Sequence, residues 1–191
     1  LRDVYKRQNY RLAVAEPTAA RPRRAGRGRM ALSFAVILAM VGLVTLAKPW
    51  IEIPGLINGS AHAIRSLDLQ FLDGWETPPI WYGPYTNTFG NILLFVPVGA
   101  AFYTLTRGTG RAVLLGLATS LSIEIIQYSF ALGYSDVDDL LFNTIGAALG
   151  GIWFARCDHA ARTRLLRRLT LIAAILAALM LAALGFTFLR G

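Results

Sequence analysis

Five long apolar stretches, at residues 31–47, 88–106, 112–134, 140–155 and 169–189, leave this 191-residue chain few ways to fold. A helix needs about 20 residues to cross hydrocarbon, with roughly 17–25 tolerated. The last stretch reads LTLIAAILAALMLAALGFTFL without a charge, and the third contains one acid, Glu124. The fourth is the shortest and needs interfacial residues at its ends to span. A water-soluble bundle would show polar stripes along its helices. Only 16% of the residues are charged, against roughly 25% in a soluble domain. The expected fold is therefore all-α, a polytopic membrane bundle of about five transmembrane helices. One cysteine, Cys157, excludes an internal disulfide framework and a Cys-rich metal site.

The net charge of +8 would suit a nucleic-acid partner, but the location of the charges argues otherwise. Sixteen of the bases precede the first stretch or lie in the second and fourth connections; only Lys48, Arg65 and Arg190 fall on the other side. Positive residues stay cytoplasmic, which predicts the N-terminus inside and Gly191 outside. Glu52, Asp68, Asp73, Glu76, Asp136, Asp138 and Asp139 all fall on the predicted outer side. The basic excess then reads as a topology signal and a contact with anionic lipid, with no nucleic acid required. Residues 1–30 are expected to be a basic leader, disordered or non-native, ahead of a membrane domain at 31–191. The opening LRDVYKRQ matches a translated transposase end sequence: GAT-GTG-TAT-AAG-AGA-CAG encodes Asp3 to Gln8, which would make Met30 the start. These residues are left out of the functional argument. Without the leader, inside bases still outnumber outside ones seven to three.

The segment from 48 to 87 is predicted to lie outside. Ile57, Ala61, Ile64, Leu67 and Phe71 or Leu72 approach helical spacing, which predicts a short amphipathic helix over 56–72 on the outer interface. WETPPIWYGPYTN follows, where Pro and Gly oppose a regular helix and Trp and Tyr favour the headgroup zone. It would serve as an interfacial anchor or as an aromatic lid.

Polar residues inside the apolar stretches are the candidate site. Ser120, Glu124 and Gln127 share one helical face. Glu124 stands near the middle of its stretch, where an acid is functional by default. It is expected to be protonated, or to sit in a wet cavity among Asn and Gln donors; the plainer reading is a carboxyl that only ties helices together. Asn91 lies one turn into the second stretch, with Pro97 at its middle and Gly90 and Gly99 allowing close packing. Asp136, Asp138 and Asp139 introduce the fourth stretch. Three acids could bind a divalent cation through oxygen, but at a helix start they suit a cap, so no metal is expected. Asn143, Gly146 and Gly150 share a face, where the glycines suit packing and Asn143 either joins helices or orients a ligand. Asn91, Asn143, Gln127 and the acidic connection all point to the outer half, with Glu124 as floor.

The order and spacing of these residues resemble the VanZ-like family of bacterial membrane proteins. The resemblance covers 88–155 and is carried by Asn91, Phe95, Pro97 and Gly99 of NILLFVPVG, by Ser120 or Ser122, Glu124 and Gln127 of SLSIEIIQ, and by Asp136, Asp139, Asn143, Thr144 and Gly146 of DVDDLLFNTIG. Family members often carry an arginine just before the aspartates, where this chain has Gly133-Tyr134; Arg65 is the candidate replacement. The resemblance implies a cell-envelope protein of the bacterial cytoplasmic membrane, its namesake linked to resistance to glycopeptide antibiotics of the teicoplanin type. The expected activity is binding of an amphiphile, a lipid-linked envelope precursor or a lipoglycopeptide, in an outward-facing pocket of Asn91, Ser120, Glu124, Gln127, Asp136, Asp139 and Asn143. No cofactor is expected. An intramembrane enzyme with Glu124 as general acid or base and a proton-coupled transporter are the alternatives. A homo-oligomer could form through Gly146 and Gly150.

Overall fold

The long apolar runs become helices whose ends are set by identifiable local chemistry. The computed structural model describes residues 23–51, 59, 62–76 and 81–190. Its helices are α1 (Arg23–Leu46), α2 (Gly83–Thr106), α3 (Thr109–Phe130), α4 (Val137–Arg156) and α5 (His159–Arg190). Of these, α1, α2, α3 and α5 are long and apolar enough to cross a membrane. With 20 residues α4 has a spanning length, about 30 Å at 1.5 Å per residue, but it begins Val137-Asp138-Asp139 and ends at Arg156. The chain divides into two units at Met30, and the architecture below is that of the second, residues 31–191. The expected leader, as far as residue 22, lies outside the described residues.

Helix α2 starts with a proline in its first turn, where a missing N–H costs nothing. This puts its start at Gly83, before the predicted 88. It ends at Arg107 in a left-handed conformation, φ 56°, whose N–H returns to the Tyr103 carbonyl. Helix α3 ends at Phe130, four residues before the predicted 134, because Ala131 turns left-handed (φ 55°) and donates back to Gln127 and Tyr128. Asp136 caps α4, its carboxylate accepting the Asp138 N–H at 2.7 Å. At the other end of α4, Arg162 of α5 donates to the Phe154 carbonyl at 2.8 Å, with its guanidinium 5.2 Å from the Tyr103 ring centre.

A predicted element is replaced here. The amphipathic helix expected over 56–72 lies partly outside the described residues, at 56–58, 60 and 61. Its described remainder holds no α-helix. Arg65–Asp68 forms a strand, β1, that pairs in parallel with β2 (Gly133–Asp136), from Arg65 opposite Gly133 to Asp68 opposite Asp136. Leu67 and Phe71, which were to mark the apolar face, are 54% and 59% exposed. Pairing with β2 supplies main-chain partners from outside the segment, so the apolar spacing no longer decides its conformation.

Helices α2, α3 and α4 pack most extensively on one another, and α2 with α4 forms the largest interface. Phe95, Val98, Ala100, Ala147 and Phe154 are fully buried there. Glycine makes the approach possible. A Cβ on Gly146 would stand 2.2 Å from the Ile92 carbonyl oxygen, on Gly150 2.0 Å from that of Val96, and on Gly99 1.9 Å from that of Ala147. Gly146 and Gly150 thus pack within the chain, as expected of them, and their face is not open to a second copy. Gly90, expected to aid packing, faces open space.

Candidate functional site

On α3, Ser120, Glu124 and Gln127 are buried along one face. Helix α4 runs back beside it after the β2 turn, so successive polar residues of the two helices meet in order. Deeper in the bundle, the Asn143 amide donates to the Ser120 hydroxyl at 2.9 Å. One turn nearer the strands, the Glu124 carboxylate accepts the Asp136 main-chain N–H at 2.9 Å. The Ser135 hydroxyl donates to the Glu124 main-chain carbonyl at 3.2 Å. Helix α2 contributes Asn91 and Asn87, both of whose amides donate to Asp139, the second at 2.9 Å. Asn91, Glu124, Gln127, Asp136 and Asp139 therefore lie toward the strand end of the bundle, with the Ser120–Asn143 pair deeper inside it.

The connections differ from those expected. Glu124 was to be sheltered by amide side chains, yet its partner is a main-chain N–H, because β2 folds back over the end of α3. The amides go elsewhere: Asn91 to Asp139, Asn143 to Ser120, and Gln127 to the Thr45 carbonyl at 3.3 Å. Nor is Glu124 at the middle of its span. With α3 ending at Phe130, six residues, or about 9 Å of helix, separate it from the strand end. Of the two serines that fitted the pattern, Ser120 is the buried one; Ser122 is exposed and bonds the Ala118 carbonyl within its own helix.

The three aspartates have three roles. Asp136 caps α4. Asp138 accepts the Leu72 N–H through both oxygens, at 3.1 and 3.0 Å, which fastens the 62–76 segment to α4 beside the left-handed Leu72. Asp139 gathers the two asparagines. Burial lifts the Asp136 carboxyl from 3.8 to about 6; the Asp138 N–H opposes this, and the nearby Asp139, Asp138 and Asp68 carboxylates add to it. His62 is pushed below its ordinary value by burial and then by the Lys48 ammonium, which also acts on Asp139. Arg65 is not the partner of an acid at this mouth. It donates to the Tyr128 and Ser129 carbonyls, both at 3.0 Å, and covers the Tyr128 ring, so it caps α3.

Three side-chain atoms among the described residues are buried without a hydrogen-bond partner: Thr88 Oγ1 on α2, Gln127 Oε1 and Asn143 Oδ1. The two amide oxygens flank Glu124, one turn to either side. No group of three or more His, Cys, Asp or Glu among the described residues could hold a metal ion. Asn87, Lys48 and Thr45 were missed by sequence reasoning, and Asp138, weighed there as a cap or cation ligand, was left out of the pocket. Asn87 alone left a signal, standing one turn before Asn91.

A family model described as VanZ/LLP1 matches residues 31–158. The chain belongs to the VanZ/LLP1 family. Among curated proteins, Protein VanZ of Enterococcus faecium is 30% identical over 126 residues, spanning 65% of this chain and 70% of that protein. No solved structure matches. The VanZ/LLP1 match begins before the 88–155 region that carried the resemblance, and it takes in Thr45, whose carbonyl meets Gln127, and Lys48, whose charge acts on Asp139. Membership and the apolar helices together make this a membrane protein.

Proposed function

We propose that this protein binds the polar head of an amphiphile of the bacterial cell envelope at the strand end of the bundle, which the charge bias turns outward in the cytoplasmic membrane. The observation that carries this is the pair of buried, unpartnered acceptors, Gln127 Oε1 and Asn143 Oδ1, on either side of Glu124. A buried polar atom without a partner costs about 1–3 kcal/mol. A helix bundle built only to pack would replace such groups with apolar ones, whereas a bound head group would satisfy them. Asn91, Ser120, Asp136 and Asp139 hold the surrounding geometry. Trp75 and Tyr85, in edge contact at 4.8 Å, and the exposed Trp81 stand where the attached chain would lie.

This reading also suits the association of the family's namesake with resistance to glycopeptides of the teicoplanin type. The test is photo-crosslinking in nanodiscs with a diazirine-bearing lipid-linked precursor and, separately, with a lipoglycopeptide. Label on 62–76 or 81–91 that is lost in Glu124→Gln and Asn143→Leu supports the site. Label spread evenly over α5, unchanged by either substitution, overturns it. Turnover of the precursor in the same samples would replace binding with catalysis.

A further inference from the structure

The end of the bundle away from the strands carries charge that the fold leaves unused. The α2–α3 and α4–α5 turns both lie there, because α2 and α4 run side by side in one direction: Gly146 meets Ile92 and Gly150 meets Val96. Gly151 of α4 lies against Thr109 and Ala112 of α3, and the Arg162 guanidinium of α5 stands 5.2 Å from the ring centre of Tyr103 in α2. The two turns therefore form one surface.

Arg162 is committed to this junction through the Phe154 and Ala155 carbonyls. Arg156 ends α4, where a cation suits the helix dipole. Arg107, Arg111, Arg164, Arg167 and Arg168 remain. All five are exposed, and their side chains have no hydrogen-bond or ion-pair partner among the described residues. The acid near α5 in the chain, Asp158, serves as its cap, accepting the Ala161 N–H at 2.6 Å. Arg164, Arg167 and Arg168 stand at i, i+3 and i+4, on the face of α5 opposite the inward Arg162 and Leu166. Like charges at that spacing repel, so packing of the chain on itself gives no reason to place them together.

Depth decides what meets them. Helix α5 has 32 residues, about 48 Å at 1.5 Å each, which exceeds a hydrocarbon core of about 30 Å. The uncharged run Leu169–Leu189 alone fills that core. Arg168, Arg167 and Arg164 then stand within about 6 Å of its edge, in the headgroup layer. Arg107 follows the last residue of α2, and Arg111 lies in the first turn of α3. A guanidinium offers paired N–H groups that match phosphate oxygens. A zwitterionic head brings its own cation to the phosphate, whereas an anionic phospholipid does not.

We propose that this end of the protein is a docking surface for anionic phospholipids, whose diester phosphates are held by Arg107, Arg111 and the face of Arg164, Arg167 and Arg168. Each guanidinium meets a headgroup separately, so no shared pocket is required. The proposal is independent of the ligand at the strand end. It also goes beyond a cation excess that only orients the chain, which needs charge and no lipid partner.

The test places the full chain in phosphatidylcholine vesicles holding equal traces of phosphatidylglycerol and phosphatidylcholine, each with a diazirine on one acyl chain close to the head. Both leaflets carry both probes, so either direction of insertion serves. Phosphatidylglycerol label is expected to exceed phosphatidylcholine label about threefold or more at 102–112 and 164–175, with parity at 180–189, the far end of α5. The triple variant Arg164→Gln, Arg167→Gln, Arg168→Gln should bring 164–175 to parity and leave the preference at 102–112. In about 1 M salt, where screening shortens to about 3 Å, the wild-type preference should collapse, a check that needs no variant to fold. Parity of the two lipids at 102–112 and 164–175, an equal preference at 180–189, or a preference at 164–175 unchanged in the triple variant overturns the proposal. So does loss of the preference in millimolar glycerol phosphate, which would assign the surface to a soluble phosphate ester.

Discussion

Helices α2 and α4 meet twice, in two different ways. Over one stretch the contact is made by absence of side chains: Gly146, Gly150 and Gly99 bring main chain against main chain. Toward the strands the same helices are joined by polar groups, with Asn87 and Asn91 on Asp139. The glycine seam is tolerant of chemistry and intolerant of volume. The polar junction is the reverse, since its members are fixed by donors and charge. The difference teaches that the seam positions the site. Ile92 stacks on Gly146, so its neighbour Asn91 arrives opposite Asp139, two turns before Gly146.

Adding volume to the seam should break this arrangement most severely. Gly146→Val would push a side chain onto the Ile92 carbonyl and is expected to cost about 3 kcal/mol or more, read as a lost or strongly lowered unfolding transition in detergent. Removing a charge at the junction comes next. Asp139→Ala strands two amides and should cost about 2 kcal/mol, with an unfolding midpoint that Asp139→Asn restores in part, because both amides donate to one oxygen and an Asn side chain keeps such an acceptor. If Gly146→Val were milder than Asp139→Ala, the seam would not be what places the junction.

Proton binding sharpens the contrast, because the polar junction carries carboxyl groups and the glycine seam carries none. Asp136 has its folded value raised, from 3.8 to about 6. Its contribution to stability is therefore complete below about 3.8 and is lost as pH rises through about 6. The unfolding temperature should fall between about pH 4 and pH 7, and Asp136→Asn, which keeps a capping side chain, should flatten that slope. A slope unchanged in this variant would assign it to another carboxyl. The smallest effect is expected from Arg65→Ala. Loss of its bonds to the Tyr128 and Ser129 carbonyls should cost about 1 kcal/mol, seen as faster amide exchange at 133–136 with the seam unaffected.

Much of the bundle was legible because hydrocarbon length and residue hydropathy are local properties. Helix ends were less so. The residues that stop α2 and α3, Arg107 and Ala131, are not helix breakers; they turn left-handed because the chain must reverse there. The Ser120, Glu124 and Gln127 face was readable from a 3.6-residue period, and so was the Asp136 cap. The partners were not. Nothing in the sequence says that Asn91 reaches Asp139, 48 positions away, or that Glu124 takes a main-chain N–H from β2. The expected helix over 56–72 failed for the same reason. Its spacing is genuine, but β2, a distant segment, competes for its backbone.

By itself the sequence determined that this chain crosses a lipid phase, which helical faces carry polar groups, and where glycine allows backbones to touch, because each follows from side-chain volume and hydropathy along a helix of known pitch. Only the tertiary structure decided that β1 lies beside β2, that Arg65 caps α3 and leaves the acids to Lys48, and that two amide oxygens stand buried without a partner. Those outcomes depend on which donor reaches which acceptor first across the fold, and hydrogen bonding of that range has no period to read.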